Sequence, residues 1–219
     1  MIITIDGPAA AGKGTVSKFL ADYYKLAYFD TGMIYRAVGL QMVLSNFDLT
    51  DEDKAFEISK NMTFEKMMSL STHKDFRSDI GGQAASKVSA MPKVRQALLK
   101  MQQDFALSPV FADGTKANGV IYDGRDTGTV ICPAADIKFF LTATTEVRAM
   151  RRFKEFQAKG IQTTYETVLE DMIARDKRES QRSSAPMKPA DDAIIVDTSD
   201  MDAQTEINVI LDIVQRKFA

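Results

Sequence analysis

Gly7-Pro8-Ala9-Ala10-Ala11-Gly12-Lys13-Gly14-Thr15 has the spacing G-x-x-x-x-G-K-G-T. It follows the β-branched run MIITID and opens a stretch in which Val16, Phe19, Leu20 and Tyr23 recur at helical intervals. Small residues let a backbone wrap a polyphosphate, and the N–H groups of a loop and a helix start supply positive potential. Lys13 is placed to contact the β- and γ-phosphates of a nucleotide. A glycine-rich strand-to-helix turn without a ligand is the plain alternative; the strand, spacing, lysine and threonine together favour phosphate. The hydroxyl comes at Thr15, one place later than in most triphosphatases with this loop, where Ser or Thr directly follows the lysine to ligate magnesium. Asp123, at the end of the apolar run Val120–Tyr122, is the carboxylate expected to orient waters around such a metal, or else a simple strand-end turn former.

Arginine is the second chemical signal. Arg148, Arg151 and Arg152 share one helical face, and Arg175, Arg178 and Arg182 share another. A solvated charged face is the usual origin of such a set. Two arginine faces beside a phosphate loop instead suit phosphoryl transfer, whose transition state needs positive charge around the moving oxygens. Arg36 lies one turn after Asp30-Thr31-Gly32, and Arg125-Asp126 follows Gly124 at the carboxyl end of a strand, the edge where ligands enter open α/β sheets. With Ser86 and Arg95 these residues suggest a receptor for a second, smaller phosphorylated molecule, although each taken singly is an ordinary surface residue.

The elements that must position these groups form a βαβ rhythm. Strands are expected at Met1–Asp6, Ala27–Phe29, Val120–Asp123, Ile137–Thr142 and Ala193–Val196. Helices are expected from Lys13, from Ile34 to Val43, over 51–60, Lys93–Phe105, Thr145–Lys159, Thr164–Arg182 and Asp202–Phe218. Residues 61–82 show little periodicity, Gly81-Gly82 leads into Gln83–Ser89, and Ser108–Gly119 reads as an exposed loop. The fold class is therefore α/β: a five-stranded parallel sheet with flanking helices. Within 219 residues this leaves one core domain, 1–40 and 84–219, an insertion at 41–83 with Ser86 and Arg95 at its edge, and a lid region at 152–182.

Composition excludes several classes. With 28 Lys and Arg against 30 Asp and Glu the chain carries no basic excess for coating nucleic acid. One cysteine, Cys132, allows no internal disulfide, and one histidine, His73, argues against a zinc cluster or a His-based triad. The apolar runs fall short of a membrane span, and no secretory signal is read at the start, so a cytoplasmic protein is expected.

The chain closely resembles the bacterial cytidylate kinases, through ITIDGPAAAGKGT, FDTGMIYRA, QAASKVSAMPKVRQALL, DGRDTGTVICPAADIKFFLTA and RDKRESQRSSAPMKPADDAIIVDTS. DTGxxYR and DGRDxGT are far more specific than the phosphate loop alone. The resemblance implies the adenylate-kinase type of P-loop fold, with an inserted monophosphate-binding domain and a short mobile lid. It implies transfer of the γ-phosphate of ATP to CMP or dCMP, with Mg2+ held by phosphates and water, by a monomer. Thr31, Arg36, Arg125 and Arg182 would hold the CMP phosphate and sugar, and Ser86, Arg95 and Asp126 would read the cytosine. Cytosine offers an N4 amino donor beside N3 and O2 acceptors, so a carboxylate and an arginine fit it, whereas the O4 of uracil would oppose Asp126. Residues 7–15 and Arg151 would bind ATP, and Arg148, Arg151, Arg175 and Arg178 would close around the transferring group.

Three departures stand out. Glu179 occupies the place of a family aspartate near the sugar, 61–80 is short and little strand-like, and the 108–119 loop is long. Kinases of UMP or AMP, a slow ATP-hydrolysing switch, and a non-catalytic α/β domain are the competing readings.

Overall fold

The computed structural model describes residues 1–218. The chain divides into two compact units: residues 1–29, 108–181 and from 186 onward form one, and residues 30–107 with 182–185 form the other. The insertion expected at 41–83 thus lies within a wider helical unit, which also takes in the DTGxxYR segment and the helix carrying Arg95.

The first unit is built on β1 (Ile2–Asp6), β2 (Ala27–Asp30), β3 (Val120–Gly124), β4 (Ile137–Thr142) and β5 (Ile194–Asp197). Their order is β2-β3-β1-β4-β5, a parallel sheet with β1 at its centre. The central strands are continuous runs of β-branched and aromatic residues because helices cover both faces. Ile3, Ile5, Ile121, Phe139 and Leu141 pack with Val16 and Leu20 of α1 (Lys13–Tyr24) and with Ile210 and Val214 of α9 (Ala203–Phe218). The parallel register sets Ile5 beside Asp123 and Asp6 beside Gly124, so the carboxyl ends of β1 and β3 arrive at one edge. One π-helical turn, Thr127–Ile131, follows β3. Beyond β4, α7 (Thr145–Ala158) and α8 (Tyr165–Gln181) pack through Ala149, Val168 and Met172, a cluster that also touches Ala9 and Ala10 of the phosphate loop.

The helical unit contains α2 (Thr31–Leu44), α3 (Glu52–Lys60), α4 (Phe64–Ser71), α5 (Asp79–Val88) and α6 (Pro92–Leu107). Its core is Ile34, Val38, Leu40, Met42, Phe76, Val88, Val94 and Leu98. Gly39 lets α2 approach α5: a Cβ there would lie 2.7 Å from the carbonyl carbon of Ala84 and 2.9 Å from its Cβ.

Two sequence expectations need correction here. Residues 61–82 hold one helix and the start of another, joined by turns at 72–78: Thr63 caps α4 by accepting from Lys66 N–H, and Ser78 caps α5. Gly81-Gly82 therefore sits in the first turn of α5, which runs on to Val88. The 108–119 loop is exposed over most of its length as expected, but it closes on itself through a Val110–Lys116 bridge and a turn in which Phe111 N–H donates to Thr115 O. Among the described residues no helix is long and apolar enough to cross a membrane.

Candidate active site

The phosphate loop leaves β1 through Gly7, with φ 141°, and enters α1 through Gly12, with φ 92°; Ala10, at φ 61°, holds a backbone that non-glycine residues rarely adopt. No side chain caps α1 at Gly12, and Thr15 N–H turns back to Gly12 O at 3.0 Å. Lys13 is only 6% exposed. Its Nζ donates to Pro8 O at 2.8 Å and lies 3.9 Å from Asp123 Oδ1. Tyr28 donates its hydroxyl to the other Asp123 oxygen at 3.3 Å. Burial, then the Arg125 cation, pull the Lys13 pKa down to about 8, with Asp123 and Glu179 opposing and Arg175 adding to the fall.

Those neighbours form a clamp. Glu179, 5% exposed, accepts from Arg125 Nε at 2.6 Å and from Arg175 Nε at 2.7 Å, one arginine on each carboxylate oxygen. Burial alone would raise its pKa, but the two guanidiniums outweigh burial and hold the carboxyl well below the glutamate range. Gripping each arginine at Nε orients its plane, and Arg125 also donates from a terminal nitrogen to Gly124 O.

The other arginines divide. Arg148, 3% exposed, uses all five of its N–H groups within the protein: Nε to Ala143 O, one terminal nitrogen to Asp176 Oδ1 and Ala9 O, the other to Asp176 Oδ2 and Thr145 Oγ1. In this arrangement it braces α7 against α8 and the phosphate loop instead of reaching outward. Arg151 donates to Thr198 Oγ1 and O, Met201 O and Glu206 Oε1. Burial raises the pKa of Glu206 despite its bonds with Thr198 and Arg151. Arg152 pairs with Glu155 and stacks on Phe156, and Arg178 lies exposed on α8.

The helical unit holds a second set. Thr31 begins α2 behind its cap Asp30, and Arg36, one turn on, donates to Phe76 O at 3.0 Å. Arg95 is buried on α6, donates to Ser89 O at 3.1 Å, and lies over the Tyr35 ring, while Ser86 is buried on α5. Arg182, just beyond α8, donates to Ala185 O and belongs to this unit rather than to a lid face. Asp126 is buried in the sheet unit at the head of the π-helical turn.

A whole-chain comparison decides among the kinase readings: the cytidylate kinase family matches residues 3–216. The chain belongs to that family. A cytidylate kinase from Paramagnetospirillum magneticum is 46% identical over 216 residues, covering 99% of this chain and 98% of the relative. One from Rhodospirillum rubrum is 44% identical over 219 residues, with the same coverage, and one from Rhodopseudomonas palustris is 44% identical over 215 residues, covering 98% and 96%. In fold, an uncharacterized protein from Eubacterium ventriosum superposes with a TM-score of 0.52 at 15% identity over 98% of both chains.

The cytidylate kinase family chain also carries residues that sequence patterns did not flag. Asp6, Tyr28, Asp176, Thr198 and Glu206 each bond a candidate side chain or the backbone beside one. Asp6 alone had a visible signal, a carboxylate directly ahead of the phosphate loop. The other four meet their partners through strand order and helix packing, which no local spacing encodes.

Proposed function

We propose that this chain transfers the γ-phosphate of ATP to CMP or dCMP, releasing ADP and the pyrimidine diphosphate. The observation that carries this reading is the convergence of Lys13, Asp123, Arg125, Arg175 and Glu179 in one unit beside the phosphate loop. The loop N–H groups and Lys13 hold the ATP phosphates, and residues 7–15 with Arg151 form the ATP site. Arg125 and Arg175, aimed by Glu179, present their terminal nitrogens to the oxygens of the moving group. The bond between the γ-phosphorus and the bridging β-oxygen breaks as an α-phosphate oxygen of the acceptor attacks in line. That oxygen is already anionic, so no general base is required. Arg178, exposed on α8, adds its charge to the positive wall.

For the acceptor, the family resemblance assigns Thr31, Arg36, Arg125, Arg182 and Glu179 to the phosphate and sugar, and Ser86, Arg95 and Asp126 to the base. Mg2+ suits this donor set: it takes oxygen ligands, keeps several waters and commonly needs only one or two carboxylates beside substrate phosphates. Asp123, facing Lys13 and Thr15's helix, would hold its waters, and the ion would neutralise charge on the β- and γ-oxygens. Action as a cytoplasmic monomer belongs to the same reading and rests on the family.

The test is an ADP-release assay with ATP and each of CMP, dCMP, UMP and AMP. The expected result is efficient turnover with CMP and dCMP, far slower turnover with UMP, and at least a hundredfold loss of kcat in a folded Lys13→Ala variant. ATP hydrolysis indifferent to every acceptor overturns the assignment in favour of a nucleotide-driven switch.

A further inference from the structure

Asp6 closes β1 immediately before the phosphate loop and is 4% exposed. Every hydrogen bond seen on its carboxylate comes from one place. Oδ1 accepts the backbone N–H and the hydroxyl of Thr127, both at 2.9 Å, and Oδ2 accepts the backbone N–H of Gly128 at 2.8 Å. Those donors are the first two residues of the π-helical turn, and the residue ahead of them is Asp126. The turn is tied back to the same point, since Val130 and Ile131 N–H donate to Asp126 O and Cys132 N–H donates to Thr127 O. Isolated π-helical turns are uncommon and concentrate at functional sites. A buried carboxylate holding one by three donors is an expensive way to shape an ordinary loop.

We propose that Asp6 is a positioning residue for acceptor choice: by fixing the N–H groups of Thr127 and Gly128, it aims the Asp126 carboxylate at the pyrimidine base. The inference rests on the reading of Asp126 as the cytosine contact. Discrimination between an amino and a carbonyl group depends on hydrogen-bond geometry, so a small rotation of the turn blurs it. An asparagine at position 6 is nearly isosteric, yet it sets an amide N–H against one of the donors it should satisfy. The turn then has to shift or leave a buried N–H unbonded. Asp6 also adjoins Gly7, which offers a rival role as a support for the phosphate loop. The two roles differ in which substrate suffers.

Asp6→Asn, Thr127→Val, the double variant and Asp126→Ala are compared with wild type through kcat and KM for ATP, CMP and UMP. In Asp6→Asn the ratio of kcat/KM for CMP to that for UMP falls about tenfold, with KM for ATP within about twofold of wild type. Thr127→Val, which removes only the hydroxyl bond to Oδ1, gives a smaller fall in the same direction, and the double variant falls at least as far as Asp6→Asn. If Asp6→Asn does not fold, the change of ratio in Thr127→Val carries the test. A raised KM for ATP with an unchanged ratio overturns the proposal in favour of loop support. A ratio that collapses in Asp126→Ala but holds in Asp6→Asn and Thr127→Val overturns the proposal alone. A ratio that holds in Asp126→Ala overturns the cytosine reading, and the role of Asp6 with it.

Discussion

Lys13 is the residue in which position and chemistry are most tightly joined. A pKa drawn down to about 8 leaves the amine about half charged at pH 8, before any nucleotide arrives. The phosphates of ATP favour the charged form, so binding draws a proton onto Lys13. Calorimetry of ATP binding at pH 8, in two buffers of different ionisation enthalpy, is expected to show uptake approaching about half a proton beyond that in Lys13→Arg, whose guanidinium does not titrate. At pH 6.5 the difference vanishes. Equal uptake by the two proteins at pH 8 would mean that Lys13 is fully charged throughout. The same shift weakens folding below pH 8, where a buried charge is carried, and this cost fades as pH rises toward 10.5.

At the scale of elements, contact between α2 and α5 shapes the helical unit, and Gly39 is where the two backbones come closest. Gly39→Val would drive a branched side chain into the Ala84 backbone and force the helices apart. The expected cost is about 3 kcal/mol, read as a lower urea midpoint, at the upper end of overpacking effects. A midpoint within error of wild type would show that the pair yields freely. The elements also explain what the sequence could disclose. Residues 7–15 were legible because a phosphate loop is contiguous, and the strands were legible because each is a short apolar run bounded by turn residues. The start of helix α5 was not: two glycines weaken the helical signal locally, while the Ser78 cap and the packing of the first turn override that weakness. Glu179 could be flagged by its alignment with a sugar contact, but its hold on Arg125, 54 residues away, exists only once α8 meets the end of β3. The hold of Arg148 on Asp176 was not legible either, because arginine spacing does not reveal a carboxylate on the next helix.

For the whole molecule, binding and stability share one currency. A nucleotide that binds only the native state at a hundredfold excess over its Kd adds about 2.7 kcal/mol. For a chain of this length that raises Tm by about 5–10 °C, and calorimetric scans with ATP are expected to show such a rise. Lys13→Ala should lose most of the rise; retention of it in full would move the nucleotide site away from the phosphate loop.

The lone thiol carries a last consequence. Cys132 is buried behind the π-helical turn, and burial, aided by the charge of Asp6, pushes its pKa up to about 11. A thiol so shielded and so rarely ionised is a poor target for iodoacetamide or peroxide while the sheet stays closed. Its alkylation is thus a built-in stopwatch for opening of the core, running without any engineered label and slowing whenever a ligand keeps the protein shut.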